Sequence, residues 1–379
     1  MQSNYTQLIH SRTGATGYIG GSVLEGVQRQ FPALQIVALL RSPSEEFRSR
    51  YPKIEIVQGN FDAFDLIENT AASADIVIRK KCRPFGTPSV LLTPQPADAG
   101  DHNHAGCGAA ILAGLKKKTT PSFLIHLTGT GCISDEREQT WKGEHNPHTW
   151  DDIKDIKKIY DLPESAKHHI MDKKIMDASN GLLKTACVCP PDIYGQSTGA
   201  GSRATYMVPE YVKYAMENKE AFYLGKGQNV RAVTHINDVV DLFVILVDQA
   251  IQGGGSAQWG KEVRTLQVAP SESRLTCIQG FYFAVADEVK WIEAAEAINK
   301  IGVEHGWFPA DSKPVSWTEA QFAGLMKHIP IPGLALYIWG SNSRATSSRA
   351  AKLGWKPHGP SFWDSLEEDV SVAVAKLRA

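Results

Sequence analysis

Short apolar runs alternate with mixed polar and apolar stretches through the first part of the chain. Residues 36–40 read Ile-Val-Ala-Leu-Leu, and residues 54–57, 74–78 and 123–127 give similar runs. Runs this short and this apolar suit parallel strands buried on both faces. Cys187 and Cys189 flank one residue and read as alternating positions of a later strand. Helices are predicted at residues 23–30, 108–118, 207–218, 289–306 and 317–328. The alternation predicts an α/β fold, a doubly wound parallel sheet. Residues 1–195 form its main domain, to which 225–262 return. Residues 196–224 and 280–379 form a smaller α/β domain. The first strand is irregular: Gln7-Leu8-Ile9-His10 is followed by Ser11-Arg12, poor residues for a buried central strand.

In such a sheet the chemistry gathers where the strands end. After the first strand come Gly14, Gly17 and Gly20. This spacing suits a tight turn into a helix, whose unpaired N–H groups and partial positive charge attract a pyrophosphate. A plain surface loop can also hold three glycines. The second strand ends at Arg41, whose guanidinium suits a ribose 2′-phosphate where an acid would suit a 2′-hydroxyl. A solvated strand end is the other reading. Asp62 follows the third strand, where it can cap the helix that begins at residue 63.

Composition narrows the partners. The chain has 379 residues, 42% hydrophobic and 21% charged, with a formal net charge of -1. Nothing in this balance points to nucleic acid or a membrane. No apolar run approaches a membrane span, and the first residues lack a signal-peptide core. Six cysteines without a C-x-x-C pair read as reduced thiols of a cytoplasmic protein. His102, Asn103 and His104 lack a further ligand at convincing spacing, so no metal is expected.

The chain resembles the extended short-chain dehydrogenase/reductase superfamily, and within it the NAD-dependent epimerase/dehydratase group. The resemblance rests on TGATGYIGG at 13–21, Arg41, GNFD at 59–62 and Thr128-Gly129-Thr130. It continues in CPPDIYG at 189–195, GKGQN at 225–229, VTHINDV at 233–239 and KLGWKP at 352–357. It implies a Rossmann-type domain holding a nicotinamide dinucleotide, and the Arg41 guanidinium favours NADP, with NAD as the second choice. The cofactor-binding residues would be Gly14, Thr16, Gly17, Tyr18, Ile19, Gly20, Arg41, Asp62, Lys173, Pro190 and Tyr194. It also implies a small-molecule substrate and leaves an oligomer open.

The resemblance implies a Tyr and a Lys one helical turn apart, and here the pattern departs. The corresponding helix spans residues 165–174. Lys173 matches the Lys, but His169 stands four residues before it, so the Tyr is missing. His169 either replaces the phenol as acid/base or is an ordinary helix residue. Thr128 and Thr130 are candidate hydroxyls for orienting a substrate oxygen. Arg231 and Arg344 either bind an anionic substrate group or are surface charges. The expected activity is an atypical NADP-dependent oxidoreductase of epimerase/dehydratase type, on a small carbonyl, hydroxyl or sugar-like compound. The alternative is a non-catalytic NAD(P)-binding sensor.

Two segments fall outside the pattern, residues 79–98 and 263–279. Loops tolerate insertions, so both can be surface additions. They can also be translated introns: Arg79-Lys80 and Val263 permit donor-like codons, Ala97-Asp98 and Gln279 acceptor-like ones. Both excisions keep the reading frame.

Overall fold

The seven parallel strands that organise the chain are β1 (Gln7–His10), β2 (Gln35–Leu40), β3 (Glu55–Gln58), β4 (Ile76–Arg79), β5 (Ser122–Leu127), β6 (Leu183–Cys189) and β7 (Phe281–Phe283). They lie in the order β7-β6-β5-β4-β1-β2-β3. The order reverses at β1, which pairs in parallel with both β2 and β4. A doubly wound sheet opens its ligand crevice at that reversal. This is a computed structural model, and it describes residues 7–10, 15–79, 105–201, 207–268, 271–329, 331 and 333–379. Gly14, His102, Asn103 and His104, and most of the first atypical segment, lie outside the described residues.

Long crossover helices cover both faces of the sheet. Helix α1 (Tyr18–Gln30) follows the glycine turn and α2 (Ala105–Lys116) leads into β5. Helix α3 (His169–Ala178) precedes β6, and α4 (Ile236–Ile251) packs against α1. That packing is close: a Cβ at Gly26 would lie 2.3 Å from Val240 Cγ1. The apolar strand runs are buried here as their pattern predicts. Ile78, Ile125, Ala186 and Val188 share one core with α1 and α4, while Val77, Leu124 and Cys187 share another with α2 and α3.

A third core gathers Tyr211, Phe222, Trp291 and Trp339 with the carboxy-terminal helix Phe362–Arg378. Its small sheet joins Val230–His235 to Asp192–Tyr194 in parallel and to Asp287–Lys290 antiparallel. Three sequence expectations change. The segment 281–283 belongs to the edge of the main sheet rather than to the smaller domain. The helix expected from 289 begins at Trp291, because Asp287–Lys290 pairs with residues 230–233. The helix expected at 317–328 is the short Glu319–Ala323, preceded by a strand ending at Trp317 and followed by Gly324.

The second atypical segment is a β-hairpin, Lys261–Val268 against Ser271–Ile278, and among the described residues these strands pair only with each other. The chain ends that carry it meet. Gln279 N–H donates to the Gly260 carbonyl at 2.6 Å, and a Cβ at Gly280 would lie 2.1 Å from Gly260 N. With φ at +72°, Gly280 takes a backbone that favours glycine. Arg79, assigned from sequence to the first atypical segment, is the last residue of β4 and is fully buried.

Candidate functional site

The amino end of α1 is the first part of the site. Gly17 caps the helix at φ −97° and ψ 167°, with no side-chain cap and no acidic residue in the first turn. Thr16 is exposed, Gly17 and Ile19 are half-buried, and Tyr18 and Gly20 are buried. Tyr18 Oη donates to the carbonyls of Tyr194 at 3.0 Å and Gly195 at 2.7 Å. Ser22 and Ser197 hydroxyls meet at 2.9 Å. The loop after Tyr194 is thereby fixed beside the turn. Gly201, at φ +114°, brings its backbone so near that a Cβ would lie 2.1 Å from Thr16 O.

Arg41 is exposed just beyond β2, and its carbonyl accepts Gln58 Nε2 at 3.0 Å. Asp62 is exposed beyond β3. The capping alternative for Asp62 is not what forms: Ala63 holds the cap position and receives no side-chain cap bond. Pro190 is buried, and its carbonyl accepts Thr130 N–H at 3.1 Å. Tyr194 Oη donates to Pro360 O at 2.9 Å, and burial raises its pKa well above the usual phenol value. Tyr194 is thereby held to the carboxy-terminal segment.

A row of buried polar side chains lies beneath the ends of β4 and β5. Arg79 Nη1 stands 3.1 Å from His126 Nδ1, and His126 Nε2 stands 3.4 Å from Asp172 Oδ1. Asp172 Oδ2 accepts the Thr128 hydroxyl at 2.6 Å. Burial lowers the His126 pKa, with Arg79 acting in the same direction and Asp172 against it. Asp172 is thus the residue of α3 that reaches the strand ends, and sequence reasoning missed it.

His169 and Lys173 do share α3, but Lys173 is turned to Tyr160. Lys173 Nζ lies 4.6 Å from the Tyr160 ring centroid, beside the short helix Ile156–Tyr160. His169 is 2% exposed, and burial lowers its pKa. His168 instead faces the strand ends. It caps α3 in the left-handed conformation at φ +70°, rare for a non-glycine residue. Cβ atoms built on Gly129 and Gly131 would lie 3.6 and 3.2 Å from its Nε2. Thr130 is buried, and its carbonyl accepts the Ser343 hydroxyl at 3.1 Å.

The two arginines considered for an anionic substrate are neutralised within the chain. Arg231 is fully buried and donates Nε to Asp192 Oδ2 at 2.7 Å. Arg344 meets both Glu288 carboxylate oxygens, at 3.1 and 2.8 Å. It lines an open pocket with Thr149, Asp287 and Thr346. The described cysteines are free. No described helix is long and apolar enough to cross a membrane.

Comparison with known proteins agrees with this architecture. The model of the NAD dependent epimerase/dehydratase family matches residues 13–258. A curated relative from Acremonium sp, described as oxidase ucsJ, is 28% identical over 375 residues, covering 96% of this chain and 97% of the relative. A dTDP-glucose 4,6-dehydratase from Bacillus anthracis, solved in complex with NAD, superposes with a TM-score of 0.57 at 15% identity, covering 98% of this chain and 97% of that one. A UDP-glucuronic acid 4-epimerase from Bacillus cereus, in complex with UDP-glucuronic acid and NAD, gives 0.56 at 13% identity, covering 98% and 99%.

Proposed function

The chain belongs to the NAD dependent epimerase/dehydratase family, and we propose that it is an oxidoreductase using a nicotinamide dinucleotide, NADP before NAD, on a small carbonyl or hydroxyl compound. The observation that carries this reading is the amino end of α1. Gly17 has an extended backbone that any residue adopts, so conformation does not require a glycine there. Close approach of a ligand to the bare Cα does explain it. The helix end behind it has no side-chain cap and no acidic residue in its first turn, which suits a pyrophosphate.

Thr16, Gly17, Tyr18, Ile19 and Gly20 would hold the pyrophosphate, with Gly14 on the approach to the turn. Arg41 would meet a ribose 2′-phosphate and Asp62 the adenine side. Pro190 and Tyr194 would wall the nicotinamide end. The bound cofactor supplies or accepts a hydride; the chain's own groups bind, orient and move the proton. Thr128 is held on Asp172, which leaves Thr130 as the hydroxyl to orient a substrate oxygen. Lys173, expected from the resemblance to meet the cofactor, lies against Tyr160, and His169, one candidate for the proton, is buried.

A sugar nucleotide asks for free cations at its phosphates. Arg231 and Arg344 are each held by a carboxylate, which favours a substrate without a diphosphate. The absence of a Tyr from α3 also favours a second reading, a dinucleotide-binding sensor without turnover. NADPH oxidation with a panel of neutral and anionic carbonyl compounds tests both. Turnover of a neutral compound supports the enzyme, whereas binding without any turnover supports the sensor.

A further inference from the structure

Two backbone irregularities face each other across Gly131. One is His168, in the left-handed conformation at the start of α3. The other is the π-helical turn Leu336–Gly340, which carries Tyr337. Single π turns are rare and gather at functional sites. A Cβ at Gly131 would lie 2.9 Å from Tyr337 Oη and 3.2 Å from His168 Nε2. Tyr337 and His168 are both half-buried, so this junction of the two domains retains access from solvent.

The Tyr337 ring is flanked by cations. Lys167 Nζ lies 4.5 Å from its centroid and Arg231 Cζ 5.0 Å. Arg231 Nη1 also donates to the Tyr337 carbonyl at 3.0 Å and to Ser341 Oγ at 2.9 Å, which fixes the π turn. Each cation has a carboxylate of its own, Glu136 for Lys167 and Asp192 for Arg231. Asp135 is turned to Asn342 and Asn146. The two cations face the ring directly, and positive charge beside a phenol favours its anion.

We infer that Tyr337 is the proton-transferring residue of the cleft, a phenol delivered by the smaller domain in place of the one missing from α3. This rests on the oxidoreductase reading above. In the reducing direction the Tyr337 O–H bond breaks and its proton passes to the substrate oxygen. The carbonyl carbon meanwhile gains a hydride from the reduced nicotinamide, and water reprotonates the phenolate. Oxidation runs the same steps backward. Nothing in the sequence pairs residue 337 with residue 131; only the packing of the two domains brings them together.

Tyrosinate absorbance of the full chain, followed against pH, gives a readout independent of turnover. The wild type is expected to show one tyrosine ionising below the ordinary phenol value of about 10. That ionisation should vanish in Tyr337→Phe and move upward in Lys167→Met. Tyr337→Phe should also bind NADPH within about twofold of the wild type, while kcat on the panel carbonyl that the wild type reduces falls at least about a hundredfold. A low titration unchanged in Tyr337→Phe, or absent from the wild type, overturns the assignment, as does a kcat within about threefold. A wild type that binds no dinucleotide overturns the oxidoreductase reading and this proposal with it. Failure in the titration and kcat alone, with binding intact, removes only Tyr337.

Discussion

The Thr128 hydroxyl donates to Asp172 across 2.6 Å, joining the end of β5 to helix α3 inside the protein. This bond ends the buried row that runs from Arg79 through His126. Removing Asp172 breaks the buried row and leaves the Thr128 hydroxyl and His126 without their carboxylate partner. Asp172→Ala should therefore cost about 3 kcal/mol or more of unfolding free energy. Lys173, half-buried against Tyr160, should cost less than about 1 kcal/mol as Lys173→Ala. Urea denaturation compares the two, and equal costs would mean that the row does not act as a unit.

His126 gives this row a pH signature. Its folded pKa lies below the ordinary histidine value because burial and Arg79 oppose its charge. Below about pH 6.5 the unfolded chain takes up a proton that the folded chain refuses. Stability from His126 is therefore present above that pH and is lost as pH falls toward the folded pKa. Asp152 acts in the opposite sense over an overlapping window, since burial raises it to about 7. The test is thus a difference. Relative to His126→Gln, the wild type should lose on the order of 1 kcal/mol between pH 7.5 and 5.5. A constant difference across that range would contradict the assignment.

The hairpin that begins after Gly260 should be dispensable. Deleting Val263 to Gln279 joins Glu262 to Gly280. Because Gly260 and Gly280 already touch, the joined chain forms a four-residue turn between them. The melting temperature should hold or rise, since among the described residues the excised strands pair only with each other. A fall of more than about 5 °C, roughly 4 kcal/mol for a chain of this size, would show that the hairpin supports the fold.

The sheet was legible because its strands are continuous apolar runs, and the glycine turn because its spacing is local. What the sequence hid is mostly long-range. Asp287–Lys290 reads as the start of a helix until residues 230–233 pair with it. The hairpin reads as an irregular insertion because its partner strands are its own two halves. Arg231 and Asp192 are 39 residues apart, and their ion pair removes an anion site that side-chain chemistry alone suggested. On α3, one position separates Lys173 from Asp172. Family spacing pointed to the first, and the helix turns the second toward the strand ends.

Cofactor choice rests on Arg41, exposed beyond β2. NADPH should bind more tightly than NADH, and Arg41→Ala should erase most of the difference with little change for NADH. Calorimetric titration measures all four affinities. Equal affinities in the wild type would remove the 2′-phosphate role.

The most direct test of a dinucleotide on α1 is calorimetric titration of NADPH into the wild type and Gly17→Val. Valine is compatible with the extended backbone at residue 17, so circular dichroism should show a folded variant. The expected result is saturable binding to the wild type and at least about a hundredfold weaker binding to the variant, because the side chain occupies the approach of the pyrophosphate. Equal binding by a folded Gly17→Val would place the cofactor elsewhere and contradict the account.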